Sequence, residues 1–248
     1  MAGHSKFKNI QFRKGAQDKK RSKLFSKLSR DITIAAKQGL PDPTANARLR
    51  LAIATARTES MPRENIERAI KKALGGETDS LEEIRYEGRG PGGVAIIVET
   101  LTDNRNRAAA NIRMLFSKYG GAMGETNSAA FMFDRLGQIV YPASAGSEDA
   151  VMEAVIEAGA EDVESDDEGH TLYTSFEAMG EVTDAITAAL GDPKSTGIIW
   201  RAKSETPVEG DGAASLMKLL DALDDDDDVQ NVWTNADISD EEMARHSG

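Results

Sequence analysis

The spacing of apolar residues changes from a helical period to a strand period at about Leu81. Before that point, three segments repeat apolar side chains every three to four residues, as on one face of an amphipathic helix. The three segments are residues 16–37, 43–58 and 61–74. Gly39-Leu40-Pro41 ends the first segment, because Gly is a common C-cap and Pro cannot continue a helix. We therefore predict a small bundle of three helices.

After Leu81, short apolar runs bounded by glycine and polar residues predict strands. The first two strands, residues 84–88 and 94–99, flank the turn Gly90-Pro91-Gly92-Gly93. A helix from Asn104 to about Tyr119 comes next, and Phe131-Met132-Phe133 begins another strand. This part of the chain is predicted to start a new α+β domain.

A strand, helix, strand, strand, helix, strand order follows, which is the order of a ferredoxin-like fold. The predicted strands are residues 138–141, 160–164, 171–175 and 198–200, and the helices are 147–158 and 178–190. The helix 213–223 and the strand 229–233 come afterwards. Since one helix and one strand cannot form a core of their own, we expect this segment to rejoin the sheet that begins at Leu81. The ferredoxin-like unit is then an insertion.

The predicted fold class is α+β with three domains. An N-terminal three-helix bundle precedes two α/β sandwich-like domains, and the third, ferredoxin-like domain is inserted into the second. The predicted boundaries are 1–78 for the basic arm and helices, 79–134 with 203–238 for the discontinuous domain, 135–202 for the insertion and 239–248 for a polar tail.

The charge distribution divides the chain into a basic head and an acidic body. Met1 to Arg30 holds ten Lys and Arg against one acid, Asp18, although the whole protein has a formal net charge of −12. Residues 1–75 carry a net charge of +12 and the remainder −24. So dense a cationic block repels itself unless an anion lies nearby, and the commonest such partner is a phosphate backbone.

The predicted nucleic-acid contacts lie on an N-terminal arm, residues 1–15, and on the cationic face of the first helix. That face neighbours the one that carries Leu24, Leu28 and Ile32. Phe7 and Phe12 could stack on a base. The alternative is a solvated helix face, or a patch that holds the protein's own acidic body. The predicted contact residues are Lys6, Phe7, Lys8, Arg13, Lys14, Lys19, Lys20, Arg21, Lys23, Lys27 and Arg30.

Several other classes of protein find little support in the sequence. Cysteine is absent, which fits a reducing cytoplasm and leaves neither a thiolate metal site nor a cysteine nucleophile. No apolar run is long enough to span a bilayer. The basic N-terminus lacks the apolar segment of a secretory signal, although a transit peptide would also be basic. We expect a cytoplasmic protein.

The sequence predicts no catalytic site, metal site or cofactor. Of the three histidines, His4 lies in the arm, His170 on an acidic turn and His246 in the tail, and none is near an evident nucleophile. Trp200 and Trp233 end predicted strands and are expected in the core. We therefore expect no enzyme, with a hydrolase as the remote alternative.

Two further motifs invite a functional interpretation that their chemistry does not favour. The Gly88-to-Gly93 segment lacks the Lys-Ser/Thr of a P-loop, and a strand rather than a helix follows it, so a tight turn is expected. The run from Asp224 to Asp228 cannot converge its adjacent carboxylates on one metal ion. We expect a solvated acidic turn, which could also clamp the basic arm when nucleic acid is absent.

A specific block of sequence lies at residues 86–94, followed by Glu99 and residues 102–107. Further distinctive positions are Met1 to Lys6, Arg13, Lys14, Asp18, Arg21, Pro43, Asn46, Arg48, Leu49, Met61, Pro62, Arg68, Ala69 and Ile70. Together these positions resemble the YebC/PmpR family, which includes the mitochondrial translational activator of cytochrome c oxidase. Phe7 stands where the family usually has Trp, and Met123 and Ala129 replace Leu and Val.

The resemblance implies the three-domain architecture and a role in gene expression. Members of the family are generally described as DNA-binding transcriptional regulators, and some act with the ribosome. We accordingly expect a DNA-binding transcriptional regulator, with a ribosome-associated translation factor that binds ribosomal or transfer RNA as the alternative. The expected partner is nucleic acid, with no membrane and no small-molecule substrate.

Asn104, Arg105, Asn106 and Arg107 are a second predicted contact for an anion or RNA. If Asp103 caps the helix, both arginines lie in its first turn, where the macrodipole disfavours cations. Two guanidinium groups at a positive helix end are explained if an anion docks there. The alternative is that both arginines pair with acids of the surrounding body.

Overall fold

The computed structural model describes residues 17–75 and 81–245, with the backbone alone for residues 17–20 and 47. These residues fall into two compact units. One unit contains residues 17–30, 75, 81–134 and 201–245, and the other contains residues 31–74 and 135–200. The fold is of the predicted α+β class, with helices first and two antiparallel four-stranded sheets afterwards.

Three helices occupy the N-terminal part of the described chain: α1 (Gln17–Gln38), α2 (Ala47–Thr58) and α3 (Arg63–Leu74). Helix α1 agrees closely with the predicted helix, whereas α2 starts four residues later than its earliest predicted start. Thr33 of α1 is buried and donates its hydroxyl to the Ala69 carbonyl of α3 at 3.1 Å. A buried hydroxyl thus finds its partner on another helix.

The first sheet and the helices packed on it are β1 (Glu82–Arg89), β2 (Ala95–Thr102), α4 (Arg105–Lys118), β3 (Ala122–Met123), α7 (Gly210–Asp224) and β9 (Val229–Thr234). The sheet follows the order β3-β1-β2-β9 and is antiparallel throughout. Its core combines alternate residues of β2, such as Ile96 and Val98, with apolar residues of the two helices α4 and α7. Pairing of β9 with β2 confirms that the C-terminal strand rejoins the sheet begun near Leu81.

The second sheet and its helices lie in sequence between β3 and β9 and are β4 (Phe133–Pro142), α5 (Glu148–Ala158), β5 (Asp162–Asp166), β6 (Gly169–Ser175), α6 (Met179–Leu190) and β7 (Ser195–Ala202). The strand order is β5-β6-β4-β7, which is the ferredoxin-like order. Buried residues of the strands, including Ile139 and Leu172, pack with those of α5 and α6. The inserted ferredoxin-like unit is therefore present.

Two details differ from the sequence-based prediction. The strands expected at 131–133 and 138–141 are one strand, β4, which begins after a 3-10 turn at Ala130–Met132. Residues 239–248, interpreted from the sequence as a polar tail, include the helix α8 (Asp240–Arg245), where Glu242 is buried and accepts a hydrogen bond from Gly210 N at 2.9 Å. Between these regions, β8 (Thr206–Pro207) pairs in parallel with β10 (Ala236–Asp237).

Candidate nucleic-acid interface

Helix α1 holds the part of the predicted contact surface that the structure describes. Lys6, Phe7, Phe12 and the other predicted residues of the arm (Lys8, Arg13 and Lys14) lie outside the described residues. The backbone of Lys19 and Lys20 belongs to the first turn of helix α1. Arg21 is exposed, with its guanidinium carbon 5.5 Å from the centre of the Phe25 ring. A planar cation over a half-buried aromatic ring keeps its outer face available.

Two lysines of α1 contact the acidic turn, Asp224 to Asp228. Lys23 Nζ lies 2.8 Å from Asp225 Oδ1 and 2.9 Å from the Asp225 carbonyl oxygen. Lys27 Nζ lies 2.7 Å from Asp224 Oδ1 and 2.9 Å from the Asp224 carbonyl oxygen. The acidic turn therefore does hold part of the basic surface in the free protein, which was one of the alternatives open from the sequence.

The two lysine contacts differ in their exposure to solvent. The Lys23 side chain is 38% exposed and that of Asp225 69%, whereas the values for Lys27 and Asp224 are 15% and 37%. Exposed ion pairs exchange readily with other ions, because water and salt screen them. Lys23 is thus the more exchangeable of the two cations.

Arg30 is the last of the predicted contact residues on α1. Its Nη1 atom is buried and has no hydrogen-bond partner among the described residues. The pKa of Asp103 lies below its ordinary value, because Arg107 hydrogen-bonds to it and because Arg107 and Arg30 are positively charged neighbours. The charges of Arg30 on α1 and of Arg107 on α4 therefore both act on Asp103.

Helix α4 begins differently from the prediction, since Asn104 rather than Asp103 is the N-cap. Asn104 Oδ1 accepts a hydrogen bond from Arg107 N at 3.0 Å, so its side chain satisfies one of the free donors of the first turn. Asp103 instead lies 2.8 Å from Arg107 Nη2. The first turn then contains Arg105, Asn106 and Arg107.

The two arginines of this turn have different surroundings. Arg107 donates to both carboxylate oxygens of buried Asp228 at 2.9–3.1 Å. These hydrogen bonds, followed by the one with Asp103 and the charge of Asp228, raise the pKa of Arg107. Arg105 is exposed and, within residues 17–75 and 81–245, has no ion pair. Arg107 thus fits the structural alternative, and Arg105 is the one available to an outside anion.

Further cations of α4 were not singled out from the sequence. Its 14 residues include Arg105, Arg107, Arg113 and Lys118 and no acid. Arg113 and Lys118 are exposed. The residues after 75 contain 12 Lys and Arg against 36 acids, so this one helix carries a third of the cations and none of the acids. A count of charges within each predicted helix would have found this surface.

The Gly88-to-Gly93 segment forms a tight turn, with a 3-10 turn at Pro91–Gly93. Gly92 has a φ of +78°, and a Cβ there would lie 2.9 Å from Val208 Cγ1. Glycine is required at this position by both the backbone conformation and the close packing. The turn is therefore packed against the protein rather than shaped around a phosphate.

The sheet of the inserted unit raises a further possibility, because RRM domains stack RNA bases on aromatic side chains of a four-stranded sheet. Tyr173 on β6 is only 3% exposed and donates its hydroxyl to Glu164 Oε2 at 3.0 Å. Tyr141 on β4 is buried and donates to the Gly191 carbonyl at 2.9 Å. Trp200 on β7 and Trp233 on β9 are buried too, as expected. These aromatic residues are not available for stacking.

His170 differs from its predicted setting on an acidic turn. It is buried in β6, and its Nδ1 lies 2.8 Å from Ser165 Oγ, so a hydroxyl does lie near this histidine. Its Nε2 lies 3.1 Å from the Gly146 carbonyl oxygen. A carbonyl oxygen accepts only, so Nε2 carries a proton and donates to Gly146, while the hydroxyl of Ser165 can act as donor or acceptor toward Nδ1. The ring of His170 thus connects the Ser165 side chain with the Gly146 backbone inside the inserted ferredoxin-like unit.

Two other kinds of feature are absent from the described residues. Among residues 17–75 and 81–245, no three His, Asp or Glu side chains are grouped so that they could hold a metal ion. Within the same ranges, none of the helices has the length and apolar character needed to cross a membrane.

Comparisons with known proteins agree with the resemblance seen in the sequence. Residues 5–76 match the family model of the TACO1/YebC N-terminal domain, and residues 81–236 match that of the TACO1/YebC second and third domains. A crystal structure of a conserved hypothetical protein from Aquifex aeolicus is 42% identical, with a TM-score of 0.80 over 92% of this chain and 95% of that one. Because the matches cover both parts of the chain, the protein belongs to the TACO1/YebC family.

Proposed function

We propose that this protein is a nucleic-acid-binding regulator of gene expression, and that its primary role is DNA-binding transcriptional regulation. The observation that carries the proposal is the concentration of ten cations and one acid in the first 30 residues of a protein with a net charge of −12. Phosphate contacts of this kind give affinity and orientation without base recognition. The proposed mechanism is binding and positioning rather than bond chemistry.

The exposed side chains of α1 and α4 supply the proposed phosphate contacts. Arg21 and Lys23 reach solvent on α1, and Arg105 does so at the start of α4. We include Asn104 to Arg107 as a second contact, in which Arg105 meets the phosphate and Arg107 holds the turn through Asp228. The acidic remainder of the protein would face away from the nucleic acid, since like charges repel.

A ribosome-associated role in translation is the second candidate, and one observation favours it. In the sequence of α1, five of the seven cations are lysine, whose ammonium group suits phosphate rather than the bidentate reading of base edges. Such a surface fits recognition of backbone and shape, which is how structured RNA is mostly bound. The same cations serve in both roles.

The direct test measures binding of the full chain to labelled nucleic acid across a range of salt concentrations. The probes are a DNA duplex of about 25 base pairs and an RNA single strand of about 25 nucleotides, followed by fluorescence anisotropy. The test variant changes Lys19, Lys20, Lys23 and Lys27 to Gln. The control variant removes the same charge from the exposed residues Arg57, Arg68, Lys71 and Lys72 of α2 and α3.

The proposal predicts a clear difference between these variants. If all four lysines contact phosphate, the test variant loses about 3 from the slope of log affinity against log salt, and the control variant changes little. Equal slopes for the wild type and both variants would contradict the proposed surface. Absence of binding to either probe at low salt would contradict nucleic-acid binding itself.

Sedimentation of a cell lysate through a sucrose gradient separates the two roles. Migration with ribosomal particles after DNase treatment, lost in the four-lysine variant, would assign the protein to translation. Protein that stays at the top of the gradient would exclude that role, and binding to promoter DNA would then test the transcriptional one.

A further inference from the structure

The acidic turn lies between the two cationic helices and contacts both. Asp224 and Asp225 bind Lys27 and Lys23 of α1, as described above. On its other side, Asp226 Oδ2 lies 3.3 Å from Asn111 Nδ2 of α4, and Asp228 binds Arg107. One short acidic segment therefore forms ion pairs with cations of both α1 and α4.

The residues of this turn have two different roles. Asp228 is buried, its carbonyl accepts a hydrogen bond from Leu101 N at 2.8 Å, and its own N donates to Asp226 Oδ1 at 2.9 Å. Asp228 thus anchors the turn to the sheet. Asp224 and Asp225 keep much of their carboxylate surface in solvent while they occupy the lysine ammonium groups. A carboxylate that binds lysine in this way is in the position a phosphate oxygen would take.

The surroundings of Arg30 suggest that the carboxylates do not fully satisfy the cations. Among the described residues, its Nη1 atom is buried without a hydrogen-bond partner, and its charge acts on Asp103, next to the start of α4. A buried donor without a partner costs free energy. Arg105 and Arg113, exposed and without ion pairs among the described residues, continue the positive surface along α4.

We infer that α1 and α4 form one phosphate-binding surface and that Asp224 and Asp225 are its built-in competitor, which a nucleic-acid backbone displaces from Lys23 and Lys27. The inference rests on the proposed function and adds two features to it. Helix α4 is a second part of the binding surface, and the contact of Asp224 and Asp225 with the lysines inhibits binding. A backbone with many phosphates displaces the two carboxylates, whereas a single small anion gains too little to do so. The contact thus favours extended polyanions over isolated anions.

A purely structural explanation of the same contacts makes the opposite prediction. Both lysines also bind carbonyl oxygens at the C-terminal end of α7, where cations are favoured by the helix dipole. If the lysines only cap α7, removal of the carboxylates loosens α1 and leaves nucleic-acid affinity unchanged or lower. If the carboxylates compete with phosphate, their removal raises the affinity.

The test compares Asp224→Asn/Asp225→Asn with a matched control, Glu209→Gln/Asp211→Asn, at about 150 mM salt. Both variants remove two acids next to or within α7, but Glu209 and Asp211 are exposed residues at its other end. Along a 15-residue helix that end is about 20 Å away, well beyond the screening length of about 8 Å. The probes are the duplex and the RNA strand used above, and thermal melting checks that each variant is folded.

We expect the Asp224/Asp225 variant to bind both probes about tenfold more tightly and the control to bind within about twofold of wild type. Asp225→Asn alone, at the more exposed position, gives a smaller gain in the same direction and serves if the double variant melts early. Lys23→Gln should weaken binding more in the Asp224/Asp225 background than in the wild type, because the lysine is free there.

The outcomes separate the inference from the proposed function. Unchanged or weaker binding by the Asp224/Asp225 variant would overturn the competitor, and so would equal gains in that variant and the control, which would show a general effect of net charge. If wild type and variants all fail to bind either probe, the proposed function is wrong and the competitor falls with it.

Discussion

The carboxylate of Glu87 accepts a hydrogen bond from the backbone N–H of Ala129 at 2.8 Å, 42 residues away in sequence. It also accepts from Asn127 N at 3.0 Å and from Ala130 N at 2.8 Å, and its side chain is fully buried. Arg85 Nε lies 3.0 Å from Glu87 Oε1. One buried charge thus organises the whole loop before β4.

The variant Glu87→Gln should destabilise the protein by about 2–3 kcal/mol, as for the loss of hydrogen bonds to a charged acceptor. Glutamine keeps the shape of the side chain but turns one acceptor oxygen into an NH₂ donor. That donor would face the N–H groups of Asn127 or of Ala129 and Ala130. Urea unfolding at pH 7 gives the free energy of unfolding directly.

The matched control for this prediction is Glu82→Gln, on the same strand but exposed. It should change the free energy of unfolding by less than about 0.5 kcal/mol. Equal effects of the two substitutions would show that the hydrogen bonds of Glu87 contribute little.

The stability of the wild type should also fall with acid in a way that depends on Glu87. Burial alone would raise the pKa of Glu87, but the three backbone N–H donors and the charge of Arg85 outweigh it and hold the pKa below the ordinary value of 4.5. The unfolded chain therefore takes up the proton first as pH falls, and stability decreases. The contribution is complete above about pH 4.5 and is lost as pH falls through the lower folded-state value.

Unfolding experiments from pH 7 to pH 3 check this prediction. The difference in unfolding free energy between wild type and Glu87→Gln should stay constant down to about pH 5 and shrink below it. A difference that stays constant to pH 3 would show that the folded and unfolded states bind this proton equally.

Glu87 and Asn46 show how far a sequence can predict structure and site. Both belong to the positions that resemble the family, but the spacing of apolar residues did not indicate what either side chain does. Glu87 binds the loop before β4 and Asn46 caps α2, and both roles depend on partners that folding brings close. The helices, the order of strands and the basic head followed from local patterns. The contacts between Lys23, Lys27 and the acidic turn join positions about 200 residues apart, and local spacing cannot show which acids meet which lysines.

Gly39 and Asn46 should behave as a coupled pair in mutational analysis. Asn46 caps α2 through its side-chain oxygen, 3.0 Å from Leu49 N, and its amide donates to the carbonyls of Ala35 and Leu40 at 2.8 Å. A Cβ at Gly39 would lie 2.5 Å from the Asn46 amide nitrogen. The N-terminal helices therefore depend on close approach at Gly39.

We expect Asn46→Ala to cost about 2 kcal/mol of unfolding free energy, through loss of the cap and of two further hydrogen bonds. Gly39→Ala should cost about 1–2 kcal/mol in the wild type by displacing Asn46, and less than about 0.5 kcal/mol in the Asn46→Ala background. Urea unfolding of the two single variants and the double variant measures the coupling. Additive effects would show that the two sites do not interact.

The two arginines at the start of α4 should separate stability from binding. Arg107→Gln leaves the buried carboxylate of Asp228 without its guanidinium partner and should lower the melting temperature. Arg105→Gln removes an exposed charge without an ion pair among the described residues, and should leave the free energy of unfolding within about 0.5 kcal/mol of wild type. Thermal melting of both variants tests this difference.

Binding should show the reverse order. If Arg105 contacts a phosphate, Arg105→Gln reduces the slope of log affinity against log salt by about 0.7–0.9. Arg107→Gln should alter that slope less, provided that binding is measured well below its melting temperature. Should Arg105→Gln leave both affinity and slope unchanged, Arg105 would make no phosphate contact, and any contact of α4 with nucleic acid would have to come from Arg113 or Lys118, further along the helix.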